Sequence, residues 1–222
     1  MIERFRPDGG GPRYFGVYPA IVTDIVDPQS IGRIQVRFPW LGTSGNDDVR
    51  AWATLVSPYA DDDQGLEILP SVDTQVVVAF EAGDLRRPYI IGASWNGVES
   101  LPQAAADPNN IRVLKSRAGS RLEFDDTDGA SKVTVSMSQG HKVVLDEAAQ
   151  EVTVAHMNGC TIVIDIAGTI SIQANTTVDV TAPLMNVHSA AAIFDGIVTC
   201  DTLVASTGIV SPSYTPGAGN IW

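Results

Sequence analysis

The C-terminal half of the chain alternates apolar and polar residues in short runs that are typical of β-strands with one dry face. Glycine, asparagine or aspartate separates many of the runs, as at Gly140, Gly159 and Gly168. Strands this short leave unpaired edges, so their regular recurrence indicates a stacked or wound β assembly that one chain does not complete. The predicted strands cover residues 121–124, 133–135, 143–145, 152–154, 162–164, 170–172, 178–180 and 185–187.

The N-terminal half shows a second set of alternating runs, separated by glycine, proline, asparagine and aspartate turn signals. Five strands in a segment of this length suit a small closed or nearly closed barrel. No helix longer than a turn or two is predicted, and residues 146–150 are the best short candidate, so the fold class is all-β. The predicted barrel strands cover residues 16–25, 32–38, 51–57, 75–80 and 89–94.

These patterns divide the chain into five segments. The proline-rich stretch between the two strand sets reads as a linker, and glycine and proline are also concentrated near both ends. The segments are an N-terminal arm (1–13), a barrel domain (14–97), a linker (98–110), the strand repeat (111–210) and a tail (211–222).

Charge argues against a nucleic-acid partner. The formal net charge is −12, and no Lys or Arg follows Lys142. Neither half of the chain offers the basic patch that phosphate binding needs. Arg33 and Arg37 alternate with apolar residues on a predicted barrel strand, and we interpret them as outward-facing positions or ion-pair partners.

No catalytic residues are predicted. The paired carboxylates Asp125 and Asp126, and the run 61–63, lie in turn sequence, where solvated side chains are expected. Glycosidase chemistry instead needs two carboxyl groups held a set distance apart across a groove. No twelve-residue calcium loop ending in Glu follows Asp61. The chain is therefore interpreted as a non-enzyme.

The histidines and cysteines do not predict a metal or cofactor site. The three histidines are His141, His156 and His188. His156 shares the strand parity of Val152 and Val154, whereas His188 has the opposite parity from its neighbours. Cys160 and Cys200 lack metal-ligand spacing, and we interpret both as buried small hydrophobes, with a disulfide left open. The N-terminus lacks the apolar region of a secretory signal, and no run is long enough to span a membrane.

The order and spacing of several motifs resemble the OB-fold of phage central spike proteins (baseplate assembly protein V) and of the type VI secretion spike VgrG. The similarity extends beyond the barrel to the start of the strand repeat and to the tail. The matching stretches are residues 16–22, 31–40, 51–56, 69–84, 87–92, 120–129 and 214–220.

This resemblance implies a homotrimer that acts as a structural central spike. Three OB domains would form a collar that caps the tail tube on the baseplate hub. Three copies of residues 111–210 would wind into an intertwined β-helix, with 197–198 and 203–205 as its last strands. That needle would contact the target cell envelope transiently as it pierces it. The protein would be made in the bacterial cytoplasm without a signal peptide and would reside in the baseplate of a virion or injection particle.

The resemblance also places the tip of the spike in residues 211–222. Tyr214 and Trp222 are the candidate tip or partner-binding residues, and the partner implied is a small cone-shaped PAAR-like protein. Some family members bind iron near the tip through a His-x-His pair. No such pair occurs here, so no tip metal is predicted.

The alternative interpretation is a trimeric β-helical tailspike or adhesin that acts on surface polysaccharide. Such a protein would need a groove lined with aromatic residues beside paired carboxylates. The strand repeat offers Phe124 and Phe194 and no Trp before the terminus, which disfavours sugar stacking.

Overall fold

A computed structural model describes residues 12–42 and 48–211, and this part of the chain is all-β. Its one helical feature is a short 3₁₀ turn at Glu81–Gly83. The barrel strands are β1 (Val17–Asp24), β2 (Arg33–Arg37), β3 (Arg50–Leu55), β6 (Gln75–Phe80) and β7 (Pro88–Ala93), and β4 (Ala60–Asp61) and β5 (Gln64–Gly65) form a hairpin between them. The C-terminal strands are β8 (Ile111–Lys115), β9 (Arg121–Asp125), β10 (Lys132–Ser136), β11 (Lys142–Asp146), β12 (Glu151–Ala155), β13 (Thr161–Ile164) and β14 (Ile170–Gln173).

The first five-stranded sheet closes on itself in the order β1-β2-β3-β7-β6. Every pairing is antiparallel except β3 with β7, where Thr54 lies opposite Tyr89 in a parallel register. A five-stranded barrel with this Greek-key connection is the OB architecture. The predicted barrel is confirmed, and each observed strand lies within two residues of its predicted bounds. The β4–β5 hairpin lies in a stretch that the sequence indicated only as a turn.

Successive side chains of a strand point to opposite faces, so the alternating apolar residues of the barrel strands all face its interior. Their packing holds the barrel together. Phe38, Ile34 and Ile90 are among the largest side chains that are almost fully excluded from solvent. Burial of such a side chain contributes about 1.5–3 kcal/mol. The core residues are Ala20, Val22, Ile34, Val36, Phe38, Ala53, Val76, Val78, Phe80 and Ile90.

The second large sheet is a seven-stranded antiparallel meander in which β8 to β14 pair in chain order. The six runs predicted between residues 121 and 172 are all strands. β8 was not predicted, although Ile111 and Val113 show the same alternation. Its register places Leu114 opposite Leu122 and extends the apolar row by one strand.

Three five-residue turns connect consecutive strands at the same end of this sheet: 116–120, 137–141 and 156–160. They are called the stacked turns below. In each, the first residue's N–H donates to the fifth residue's carbonyl oxygen, and the glycine's N–H donates to the first residue's carbonyl. A Cβ added to Gly140, whose φ is +100°, would lie 3.7 Å from the Cβ of Met157 in the next turn. Successive turns therefore pack directly against one another.

The single chain departs from the sequence prediction at two places. Residues 178–180, 185–187, 197–198 and 203–205 form no strands, because their backbone groups find no ladder partner within the described residues. Residues 147–150 form a turn between β11 and β12 rather than a helix, and Gln150 there has a φ of 49°. The chain divides after Asn175 into two compact units. The segment boundaries predicted from the sequence stay a prediction.

Candidate assembly interface

One face of the meander carries an almost uninterrupted layer of large apolar side chains, which we call the apolar face. The antiparallel register sets these residues opposite one another across the sheet, for example Val133 opposite Phe124 and Ile162 opposite Ile172. The apolar face consists of Leu114, Leu122, Phe124, Val133, Val135, Val143, Leu145, Val152, Val154, Ile162, Ile164, Ile170 and Ile172.

No layer of the described chain buries this face. Leu145 is 49 % exposed, Ile164 44 % and Ile172 60 %, whereas every fully buried hydrophobic side chain in the described residues belongs to the barrel. Contiguous exposed apolar patches mark interaction sites in soluble proteins. The apolar face is therefore the strongest candidate for a binding surface in this part of the chain.

The opposite face is polar and finds its partners within the sheet. Lys132 lies directly across from Asp146, and their side chains form an ion pair at 2.6 Å. The Ala149 backbone N–H and then Lys132 hold the pKa of Asp146 below its ordinary value, and Asp146 raises the pKa of Lys132. Arg121 and Glu123 form a second ion pair on this face. The polar face can therefore stay in water, whereas the apolar face leaves large hydrophobic side chains exposed.

Beyond Asn175 the described chain is rich in exposed apolar side chains. Ile197 is 96 % exposed and Val204 86 %. Residues 176–211 contain no Lys or Arg and only three Asp, so charge repulsion opposes their association very little. These residues therefore have the composition of an interface rather than of a charged, solvated surface.

The barrel contains an ion pair that the sequence indicated only in part. Arg33 donates from Nε and Nη2 to the Asp27 carboxylate at 3.0 and 2.9 Å, and the backbone N–H groups of Gln29, Ile31 and Arg33 donate to the same group. The Asp27 side chain is only 4 % exposed. The Arg33 guanidinium holds the pKa of Asp27 far below its ordinary value. This pair closes the β1–β2 turn, so Arg33 is a structural residue rather than a nucleic-acid contact.

The candidate carboxylate pairs do not converge on a site. Asp125 accepts hydrogen bonds from the N–H and hydroxyl of Thr127, and Asp126 pairs with Arg112. Asp61 and Asp63 lie in or beside the β4–β5 hairpin. Among residues 12–42 and 48–211, no three His, Cys, Asp or Glu side chains are grouped closely enough to hold a metal ion.

The remaining predicted site residues are placed as follows. His156 lies in a stacked turn just after β12 and is exposed. Cys160 is half-buried and Cys200 is exposed, so the expectation that both are buried was wrong. Tyr214 and Trp222 lie outside the described residues. No helix in the described part of the chain is long and apolar enough to cross a membrane.

Comparison with known proteins links the barrel to one family. Residues 18–95 match the family described as the type VI secretion system/phage-baseplate injector OB domain. The matched span begins within β1 and ends two residues after β7, so it coincides with the closed barrel. The resemblance to VgrG-like baseplate spike proteins is confirmed.

Curated relatives of this VgrG-like protein extend the match past the barrel. The type VI secretion system spike protein VgrG3 of Vibrio cholerae is 26 % identical over 147 residues, which is 60 % of this chain and 14 % of the relative. VgrG4b of Pseudomonas aeruginosa is 25 % identical over 154 residues, or 66 % of this chain and 18 % of the relative. The V. cholerae actin cross-linking toxin VgrG1 is 24 % identical over 108 residues, or 46 % and 10 %. The matched regions thus span less than a fifth of these relatives.

Proposed function

We propose that this chain is the structural central spike of a contractile tail or injection system and that it works as a homotrimer. The observation that carries the proposal is the apolar face, which lies beside an OB barrel of the injector family and has no covering layer in the described chain. The relatives are named as spike proteins, which supports the same role.

Three copies offer a simple way to cover the apolar face. Three such sheets that turn their apolar faces inward form a triangular prism with a dry core, and burial contributes about 25 cal/mol per Å² of apolar surface. The polar face, with the Lys132–Asp146 ion pair, then stays in water. Closing the sheets around an axis also covers surface that would otherwise aggregate.

Residues 176–210 complete the needle in this proposal. Alone they form no strands, but neighbouring chains would supply ladder partners for 178–180, 185–187, 197–198 and 203–205. An intertwined β-helix of this kind is stiff, because close-packed interiors have low compressibility and the backbone groups pair between chains. Stiffness is the property that piercing a cell envelope requires.

The barrel serves as the collar that caps the tail tube and docks on the baseplate hub. Its core is complete within one chain, so it supplies a rigid platform for the needle. At the other end, residues 211–222, with Tyr214 and Trp222, close the tip or bind a PAAR-like partner. The role is mechanical and non-enzymatic, and it uses no cofactor and no tip metal.

Complementation of the organism that encodes the chain tests this function. Particles that lack the chain should fail to deliver their contents or kill, and the intact gene should restore both. Truncation after residue 210 should leave the trimer intact but abolish tip-partner capture and delivery. Normal delivery without the chain would contradict the spike role, and normal delivery by the truncated chain would contradict the role of the tip.

A further inference from the structure

Two histidines meet at the end of the meander where the stacked turns lie. His141 is the last residue of one turn and His156 is the first residue of the next. Their ring centroids are 4.3 Å apart, with an interplanar angle of 58°. The register explains the contact: Lys142 pairs with Ala155, and His141 lies opposite His156 one step further along. Directly opposite residues of an antiparallel pair have Cβ atoms about 4.5–5.5 Å apart.

Among the cross-strand pairs that lie level with His141 and His156 at this end of the sheet, this is the one place where two imidazoles face each other. The equivalent cross-strand positions beside it hold Ser120 opposite Met137 and Cys160 opposite Ala174. The His141–His156 contact is therefore a local feature of two turns and not a consequence of the repeat. Both residues belong to one chain, and each continues the parity of an apolar-face strand, His141 with Val143 and His156 with Val154.

The surrounding turn fixes how the His156 ring is oriented. Its Nδ1 lies 2.7 Å from Oδ1 of Asn158, and the Cys160 backbone N–H donates to the same Oδ1 at 3.1 Å. The Cys160 contact identifies that atom as the oxygen, which can only accept hydrogen bonds. The Asn158 backbone N–H also lies 3.3 Å from this nitrogen, but the shorter contact is to an atom that can only accept, so Nδ1 carries the hydrogen and Nε2 keeps its lone pair. The Asn158 backbone carbonyl accepts a bond from Asn175 Nδ2, which further holds the turn in place.

We propose that His141 and His156 together bind a first-row transition-metal ion, with His156 coordinating through Nε2. A neutral imidazole whose other nitrogen donates to an oxygen is the arrangement that metal-ligating histidines adopt. Imidazole suits Zn²⁺, Ni²⁺ and Cu²⁺, with metal–nitrogen bonds of about 2.0–2.1 Å for zinc. Because the His156 ring is held in place, rotation of the His141 side chain is what would let the two rings share one ion. Water completes the coordination of the ion.

The ion would tie β11 to β12 at the end of the sheet where the stacked turns lie. Because a preformed pair of ligands exists only in the folded chain, binding stabilises the folded state by mass action. Asn158 acts as a positioning residue, since it holds the ring without touching the ion. Its removal should weaken binding by about 10–100-fold, the usual effect of losing such a partner.

Calorimetric titration of the chelator-treated full-length protein with Ni²⁺ and with Zn²⁺ tests the site. Wild type should bind one ion per chain, with Ni²⁺ and Zn²⁺ both held more tightly than Co²⁺. H141Q, H156Q and the double variant should each lose this binding. H188Q, which changes the third histidine, is the matched control and should retain it, and so should C160S. N158A should bind about 10–100-fold more weakly than N158D, which keeps an acceptor oxygen for Nδ1–H.

A second measurement uses wild type alone and does not depend on how the variants fold. Ni²⁺ should protect His141 and His156, but not His188, from acylation by diethylpyrocarbonate, as mapped by mass spectrometry. Binding that survives in H141Q/H156Q, or that is lost in H188Q or C160S, would overturn the proposal. Equal modification of all three histidines with and without the ion would overturn it as well.

Discussion

At the residue scale, the barrel depends on one nearly buried carboxylate whose partners all come from a single turn. Asp27 accepts five hydrogen bonds, three of them from Arg33, of which two come from its side chain. A charged group in such a position is tolerated only because it is paired and hydrogen-bonded. Arg33 supplies the opposite charge at this position, so it acts as a structural residue in the fold.

Replacing Asp27 with Asn should destabilise the barrel at neutral pH, because the amide leaves the Arg33 guanidinium without its counter-charge. Denaturant unfolding should show a lower midpoint than wild type. Asp84 is the matched control: Arg86 lowers its pKa to about 2, but the Arg86 side chain is 88 % exposed to solvent. D84N should therefore change stability little. Equal stability of D27N and wild type at pH 7 would contradict the assigned role.

The pH dependence of this effect follows from the direction of the pKa shift. The folded-state pKa of Asp27 lies below its ordinary value of 3.8. The stabilisation is therefore fully present above that value and declines as pH falls toward the folded-state pKa. The difference in stability between wild type and D27N should shrink as unfolding is measured from about pH 4 downward. A difference that grows on acidification would show that the sign is wrong.

At the element scale, the alternating pattern predicted strands well and tertiary partners poorly. Period-2 alternation identified all five barrel strands, because each has one face in a core of its own chain. It also identified β9 to β14. At residues 178–180 and 185–187 the pattern is equally clear but the single chain supplies no ladder partner, so these strands stay a prediction for the assembly. The stacked turns and the His141–His156 contact were missed, since each depends on register that only the folded sheet fixes, and the Asp27–Arg33 pair was indicated only in part. Repeated turn glycines separated by similar intervals were the one signal that could have located the stacked turns.

The stacked turns give a prediction about glycine. Gly140 has a φ of +100°, which side chains rarely adopt, and any Cβ would lie against Met157. Gly140→Ala should cost about 1–3 kcal/mol, the usual range for strained backbone. Gly196, which has open space around it, should tolerate alanine far better. Thermal unfolding of the two variants compares them directly, and equal losses would show that the turn geometry does not matter.

The two faces of β14 give a sharper prediction. Ile172 lies on the apolar face and Ser171 on the other, and both are exposed in the single chain. If the chain worked alone, aspartate at either position would be harmless. In the proposed trimer, Ile172→Asp places three unpaired carboxylates in the core, and each is costly to bury. I172D should therefore lose the soluble trimer in light scattering, whereas S171D should keep it. Equal behaviour would mean that the assigned face is wrong.

At the scale of the whole molecule, two different sources of stability meet in one chain. The barrel buries its core within one chain. The family match over residues 18–95 covers the same strands. The meander and residues 176–211 expose apolar surface, which the proposed trimer would cover. The sequence predicted a barrel followed by a strand repeat, because the strand pattern and the lack of Lys and Arg after residue 142 are features of the sequence itself. It could not fix the geometry of the assembly, which depends on contacts between chains.

The mass of the full-length protein in solution tests the central claim most directly. Size-exclusion chromatography with multi-angle light scattering should give the mass of three 23.5 kDa chains at all working concentrations. Because the apolar face holds the copies together, this trimer should persist in high salt, which screens ion pairs but strengthens apolar burial or leaves it unchanged. A stable, folded monomer of 23.5 kDa would contradict the account.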